Sequence, residues 1–380
     1  MYATLRFHDD AWAATAQQEI GAFADEHRAL LRTCARQGRF PRELYAEMGS
    51  RGWIGPITPT EHGGLGGGPA EYCLITEEAG RHGLVSPQIA IQGQRWLLEW
   101  GSDEQVERYL KGIAQGTTIF SESISEPTVG SSFKDMRATA EPDDDDWILS
   151  GHKTHVNLGA ACDVTIVYAM APEGLTSFLV DMDEPGMSAV QTDPIGLRLI
   201  PTADVYLDRV RVPSSALLGS PGGGLKTFLS TFNLSRLGNA SELIGFGRRA
   251  MAEALVYART RTVGDSLVTD FQGIQWTLAD AYTALHGAAL ARDHAANLAG
   301  RGEEHALATS LAKTLAVGAA ELAGNESFAL VGGHGLYHDT DFGALLHDIK
   351  VLRVAGGSIE VLRNYIAKQL LRSDDAEGLL

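Results

Sequence analysis

The 380-residue sequence predicts an α+β protein: a helical region, a β-rich region, then a second helical region. Three observations lead there. Residues 10–54 and 69–116 repeat apolar side chains at helical spacing. Residues 117–222 switch to short β-branched runs cut by Gly, Pro and Asp. Beyond Leu225 the spacing returns to three and four. The expected domains are therefore 1–117, 118–222 and 223–380.

In the first region Trp12, Ala16, Ile20, Phe23, Leu30 and Leu31 mark one helix. Pro41 fits the first turn of another, with Leu44, Met48 and Trp53 as its apolar side. The glycine-rich break at 56–68 has neither the lysine ending nor the preceding strand of a phosphate loop, so it reads as a structural turn. In the middle region the runs 164–168, 177–180 and 204–207 read as strands, and the four acids 143–146 as a solvated hairpin tip. Pro221 and the glycines after it close that region. Leu237, Ala240, Leu243, Ile244, Gly247 and Met251 then line one face of a long helix. With helical patterns at 271–299, 303–331 and about 358–371, this region reads as a four-helix bundle.

A net charge of −17 argues against binding nucleic acid or anionic membranes. Cys34, Cys73 and Cys162 show no paired spacing and suit a reducing cytoplasm, the expected location. The first residues lack a basic stretch ahead of an apolar core, so no signal peptide is expected. No apolar run reads as long enough to span a membrane. His334 and His338 lack a third ligand, and no metal site is expected.

Residues 120–159 carry the most specific signal. An alternation from Phe120 to Ile124 breaks at Glu126-Pro127 and again at Gly130. After the acidic turn, Trp147, Ile148 and Leu149 lead into SGHKTHVNLG at 150–159. With SEPTVGSS at 125–132, this resembles the acyl-CoA dehydrogenase family, through its TEPxAGSD-like turn and NGxKxWITNG-like strand. The resemblance runs in order over nearly the whole chain. It implies a helical domain, a middle β-barrel and a C-terminal four-helix bundle. It also implies FAD as cofactor and an acyl thioester as substrate.

Residue by residue, the resemblance implies flavin contacts from Ile124, Ser125, Gly130 and Ser131. Asn157 stands where the family has a hydroxyl beside the flavin, and His155 where it has a shielding Trp. Arg261 and Gln272 match the groups that hold the FAD pyrophosphate and adenine across subunits, which makes a homodimer or homotetramer the expected assembly. The glycines of a QxxGGxGY-like motif remain as Gly332 and Gly333, but its Gln is Ala329. The family's FG pair is Gly264-Asp265, and its Arg-Asp pair is His347-Asp348. Ser358 and Glu360 belong to the stretch matching the YEGTSEIQR-like motif, again on the cofactor side.

The catalytic base departs most. Removing an α-proton requires a carboxylate over the α-carbon. The usual position is Gly356, preceded by Ala355 in place of an aromatic; the minority position is Ser235, before Arg236. Glu242, at i+7 from Ser235 and so on the same helical face, is one substitute. Glu122, where an aromatic or apolar residue often lies against the cofactor, is another. Ser131 and Arg236 match contacts to the thioester carrier, and Ser235, Asn239, Ala355 and Gly356 would make the acyl pocket polar or roomy.

Three readings remain open on sequence. The first is dehydrogenation of an unusual acyl thioester, on CoA or a carrier protein, with electrons passed to an electron-transfer partner. The second is a flavin monooxygenase fed by a reductase. The third is a non-catalytic subunit of a hetero-oligomer.

Overall fold

The structure, a computed structural model, describes residues 4–130, 132–338 and 340–372. In chain order the helices are α1 (Asp10–Gln37), α2 (Arg42–Ser50), α3 (Pro69–His82), α4 (Gln88–Trp100) and α5 (Asp103–Gln105). A π-helical turn, Val106–Leu110, leads into α6 (Lys111–Ala114). Seven strands follow: β1 (Phe120–Ser123), β2 (Thr139–Asp143), β3 (Asp146–Val156), β4 (Val164–Ala171), β5 (Gly174–Asp181), β6 (Met187–Gln191) and β7 (Ala203–Pro213). Then come α7 (Gly224–Ser230) and α8 (Phe232–Ala258), the hairpin β8 (Thr262–Val263) and β9 (Ser266–Leu267), α9 (Gln272–Gly300), α10 (Ala306–Val331), α11 (Phe342–Val354) and α12 (Ile359–Arg372). Two compact units divide the chain: residues 29–67 with 87–232, and the remainder.

In the first unit the strands form one curled sheet in the order β1-β4-β2-β3-β7-β6, with β5 pairing antiparallel to β4 off this path. One face holds Leu149, Val167, Phe178 and Val210 in its core. The other face of β1 and β4 is also covered, by Trp96 of α4 and Phe228 of α7 against Phe120 and Tyr168. Cover on both faces explains why 164–168 is continuously apolar or aromatic save for Thr165. Asp143 and Asp146 flank the two-residue turn between β2 and β3, and Arg211 pairs with both.

The turn after β1 is tied to β3 by a buried ion pair, Lys153 Nζ to Glu126 Oε1 at 2.8 Å. Glu126 also accepts the Arg137 and Ala138 N–H groups, at 2.8 and 2.9 Å. Burial pushes the Glu126 carboxyl up, but Lys153 and those amides outweigh it and hold the group below its usual range.

In the second unit α3, α8 and α9 share a buried charge network. Glu77 pairs with Arg292 at 2.9 Å and with Arg248. Arg292 also reaches Asp293 at 2.6 Å and Ser241 Oγ at 3.2 Å. Two glycines let α3 and α8 touch backbone to backbone. A methyl at Gly80 would come within 2.7 Å of the Glu242 carbonyl oxygen; one at Gly245 would lie 2.8 Å from Arg81 N.

α10 packs against α9 through small residues, among them Ala312, Ala316 and Ala320. Contrary to expectation, one helical stretch, 306–336, is long and apolar enough to cross a membrane by length and composition; half of its most apolar window is buried inside the protein. Exposed apolar side chains remain on the outer stripes of this pair. Trp276 and Leu290 flank Gly287 on α9, and Leu311, Leu315 and Leu322 flank Gly318 on α10. Neither glycine has any atom within 4 Å of where a Cβ would sit.

Candidate active site

The turn between α11 and α12, Ala355-Gly356-Gly357, sits against the start of α8. Both glycines take positive φ, +64° and +90°. A side chain at Gly356 would run into Asn239 Nδ2 and lie 3.1 Å from Ser235 Oγ. The two base positions of the family pattern therefore meet in space, and Asn239 fills the volume between them. Its Nδ2 donates to Ala355 O at 3.3 Å.

Lys313 on α10 donates to the same carbonyl and to Gly357 O at 2.8 Å. Its amine is pushed down to about 7, by burial and then by the nearby Arg236 charge. Arg236 donates to Ser310 Oγ at 3.2 Å and lies over the Tyr365 ring, 5.8 Å from its centre. Burial lowers the Arg236 guanidinium to about 10.

This geometry makes Gly356→Glu an informative substitution. The new side chain meets both a left-handed backbone and the Asn239 amide. The single variant is expected to lose stability by about 1–3 kcal/mol and gain no turnover. The measurement is a urea melt beside an acyl-thioester assay. Gly356→Glu with Asn239→Gly tests whether clearing the space suffices.

Glu242 is not brought to this cluster. It shares a stripe of α8 with Ser235 and Asn239, as its spacing requires. Seven residues of helical rise, however, carry it about 10 Å along the axis. There its Cγ faces Gly80 of α3, and its charge acts on Tyr72.

Glu122 lies on β1 in the other unit. Pairing of β1 with β4 in register Glu122↔Ile166 puts it on the same sheet face as Tyr168. Its Oε1 is buried without a hydrogen-bond partner among the described residues, as is the Tyr168 hydroxyl. The side chain as a whole is only half-buried. Burial raises the Glu122 carboxyl to about 8; burial, then Glu122, pushes the Tyr168 phenol well above its usual value.

On the expected flavin strand, Ile124 O accepts Lys153 Nζ at 3.3 Å and Ser125 O accepts Thr154 N at 2.9 Å. A register shift between Lys153 and Val156 then breaks the pairing of β3 with β7. His155 sits in that bulge at φ +55°, and His155 and Asn157 both face outward while Val156 is buried. Asn157 O accepts the Ser121 hydroxyl at 2.8 Å. Gly130 is exposed with open space about it; Ser131 lies outside the described residues.

Arg261 is exposed immediately before the β8–β9 hairpin, whose two turn residues are Gly264 and Asp265. Gln272 is exposed at the start of α9. At Gly332 and Gly333 an added Cβ would meet no atom of the described residues within 4 Å, although the backbone of Gly332, at φ +55°, itself favours glycine. The adjacent His334 stacks on Tyr257, with ring centres 5.3 Å apart. Ser358 Oγ accepts Val361 N at 3.5 Å where α12 begins. The exposed Glu360 carboxyl is held below its usual range by its own amide and the Ser358 hydroxyl. Among the described residues no group of three metal-ligating side chains occurs.

Lys313 and Tyr168 were not singled out from sequence. The trace of Lys313 was there: a lone lysine in the long apolar pattern of 306–331. Tyr168 sat unmarked in an apolar strand, because a phenol is an ordinary core residue.

Known proteins resemble the chain over nearly its whole length. The descriptions "Acyl-CoA dehydrogenase" N-terminal, middle and C-terminal domain match residues 13–117, 121–210 and 222–371. A 3-(aryl)acrylate reductase of Clostridium sporogenes is 32% identical over 369 residues, covering 94% of this chain and 96% of that protein. The caffeyl-CoA reductase-Etf complex subunit CarC of Acetobacterium woodii is 30% identical, covering 90% and 93%. A crystal structure of a glutaryl-CoA dehydrogenase from Mycobacterium smegmatis in complex with FADH2 superposes with a TM-score of 0.88. It is 26% identical, with 94% of this chain and 95% of that chain covered. Helices, curled sheet and helices thus follow one another as in those proteins, and the chain belongs to the acyl-CoA dehydrogenase family of flavoenzymes.

Proposed function

We propose that the protein is a FAD-dependent oxidoreductase that dehydrogenates the α,β-bond of an unusual acyl thioester, carried on CoA or on a carrier protein. The observation that carries this reading is Glu122. It is a half-buried carboxyl with an orphaned oxygen, three residues ahead of Ser125 on the same chain segment. β1 ends at Ser123, so the carboxyl and the expected flavin contacts Ile124 and Ser125 share one short stretch of chain.

The residues present fit FAD. Outward-facing His155 and Asn157 offer a ring face and an amide edge, with Ser125 and Ile124 beside them on the neighbouring segment. Gly130, Gly332 and Gly333 leave room for a close approach that this chain's own packing does not use. Arg261 presents an exposed guanidinium suited to a pyrophosphate, Gln272 an exposed amide suited to adenine, and Ser358 and Glu360 the start of α12. Bound flavin supplies the hydride acceptor. Glu122, deprotonated above its raised titration point, takes the α-proton. Within the helical unit, Arg236, Ser235 and the Ala355–Gly356 turn are the groups suited to a thioester.

The outer stripes of α9 and α10 support a homodimer or homotetramer. Helical glycine costs about 1 kcal/mol relative to alanine, and a Cβ at Gly287 or Gly318 would meet nothing among the described residues. A second copy laid along Leu311, Leu315 and Leu322 would use both the glycines and the apolar side chains. Leu315→Glu is expected to halve the mass seen by light scattering; an unchanged mass counts against this face. The cytoplasm is the proposed location, and an electron-transfer or flavin-reductase protein the proposed partner.

The test is the visible spectrum of the FAD-reconstituted protein during anaerobic titration with acyl thioesters. Bleaching supports the reading. Bound flavin that no thioester bleaches, with oxygen uptake when a reductase is added, replaces it with the monooxygenase. Failure to retain FAD leaves the non-catalytic subunit.

A further inference from the structure

The helical unit holds an amide whose orientation is fixed. Ala355 O accepts two donors, Lys313 Nζ from α10 and Asn239 Nδ2 from α8. Lys313 also ties down Gly357 O, so the turn cannot rotate its carbonyls away without stranding a buried amine. Flipping the Asn239 amide would set oxygen against oxygen at Ala355. Its nitrogen is therefore committed to the turn, and Oδ1 is the atom left over.

That oxygen makes no hydrogen bond among the described residues, and neither does the Ser235 hydroxyl one helical turn before it. Both residues are more than nine-tenths buried, with Asn239 at 3% and Ser235 at 7% exposure. Ala355 and Gly356, which border them, are only half-buried, so the pair is walled but not sealed. An amide oxygen accepts and cannot donate; a hydroxyl does either. Where the family pattern has a carboxylate, this chain presents a neutral acceptor at a fixed position.

We propose that Asn239 Oδ1, assisted by Ser235 Oγ, accepts a hydrogen bond from an N–H or O–H group on the acyl part of the substrate, next to the thioester carbonyl. The substrate class is then an amino- or hydroxyacyl thioester rather than a plain fatty one. Lys313 is the positioning residue, acting through Ala355 O. The inference rests on the thioester reading above and adds the donor group to it.

The test is calorimetric titration of the FAD-reconstituted protein with three unreactive ketone analogues of acyl-CoA, each with a methylene inserted between sulfur and carbonyl and carrying the propionyl, 2-hydroxypropionyl or 2-aminopropionyl chain. One good hydrogen bond to a buried acceptor is worth about a tenfold change in Kd. Wild type is expected to bind at least one donor-bearing analogue about tenfold more tightly than the plain one. The tighter of the hydroxyl and amine arms names the donor. Asn239→Leu, similar in volume, should remove the preference; because it also frees Ala355 O, the ratio of donor-bearing to propionyl affinity is compared within each variant. Lys313→Met should weaken the preference by freeing the turn, and Ser235→Ala should reduce it without disturbing the fold. Equal binding of all three by wild type overturns the inference and leaves the thioester reading standing. So does a preference that survives both Asn239→Leu and Ser235→Ala. Binding of none of the three, either on CoA or on a phosphopantetheinyl carrier protein, overturns both.

Discussion

Glu122→Gln is expected to slow flavin reduction by an acyl thioester by about 10²–10⁴-fold, the usual contribution of a positioned proton acceptor. In the wild-type protein the rate should rise with pH and reach half its plateau near 8, because only the ionised carboxyl accepts the proton and burial holds that group at about 8. Stability should run the other way. A carboxyl whose folded value lies above its unfolded one binds its proton more tightly when folded. Its contribution is complete at acid pH, below the unfolded value, and is lost as pH climbs toward 8. The Gln variant, which never ionises, is then less active and, at pH 9, more resistant to urea than wild type. Stopped-flow reduction and urea midpoints at pH 6 and pH 9 check both halves. A variant that reduces flavin at the wild-type rate removes Glu122 from the chemistry.

Arg292→Met carries the largest expected loss of stability. Arg292 and Glu77 are sealed from solvent, and their contacts join α3, α8 and α9. Removing the guanidinium leaves the Glu77 carboxylate with Arg248 alone, in a site that water does not reach. Breaking one side of such a pair costs about 3–5 kcal/mol. Glu77→Gln in the same chain should recover part of it, because the stranded charge goes too. Urea denaturation of the two variants decides this. If the double variant is no better than Arg292→Met, the loss is one of packing rather than of charge.

How legible all this was depended on what each residue contacts. Long helices and strands could be read because each buries one face against a neighbour and so repeats at a fixed period. One element not named from sequence, α11, carries that signature too, with Phe342, Leu345, Ile349 and Leu352 at helical intervals. The absence of a base at Gly356 and Ser235 was plain from a motif alone. That Asn239 occupies the space between them was not, since α8 and the turn after α11 are more than a hundred residues apart. Glu242 is the complementary case. Periodicity told which stripe it shared but not which neighbour that stripe meets two turns further on. Glu122 was visible as an odd acid in a strand, yet its titration comes from desolvation, which needs the sheet and its cover of aromatic rings to exist.

The bare contact between Gly80 and Gly245 has a consequence for how this sequence can drift. Two helices that meet through their backbones have no side chains to re-rotate at the crossing, so the crossing sets their register like a keyway. Sliding α3 by one turn would bring a side chain into a gap that admits none, and would carry Glu77 away from Arg292 as well. Helix spacing and charge pairing are thus inherited together, and compensating changes elsewhere in the unit cannot restore one without the other. Descendants of this sequence are free to vary α3 along its outer side, but a residue larger than glycine at either position has to move a helix before it can be tolerated.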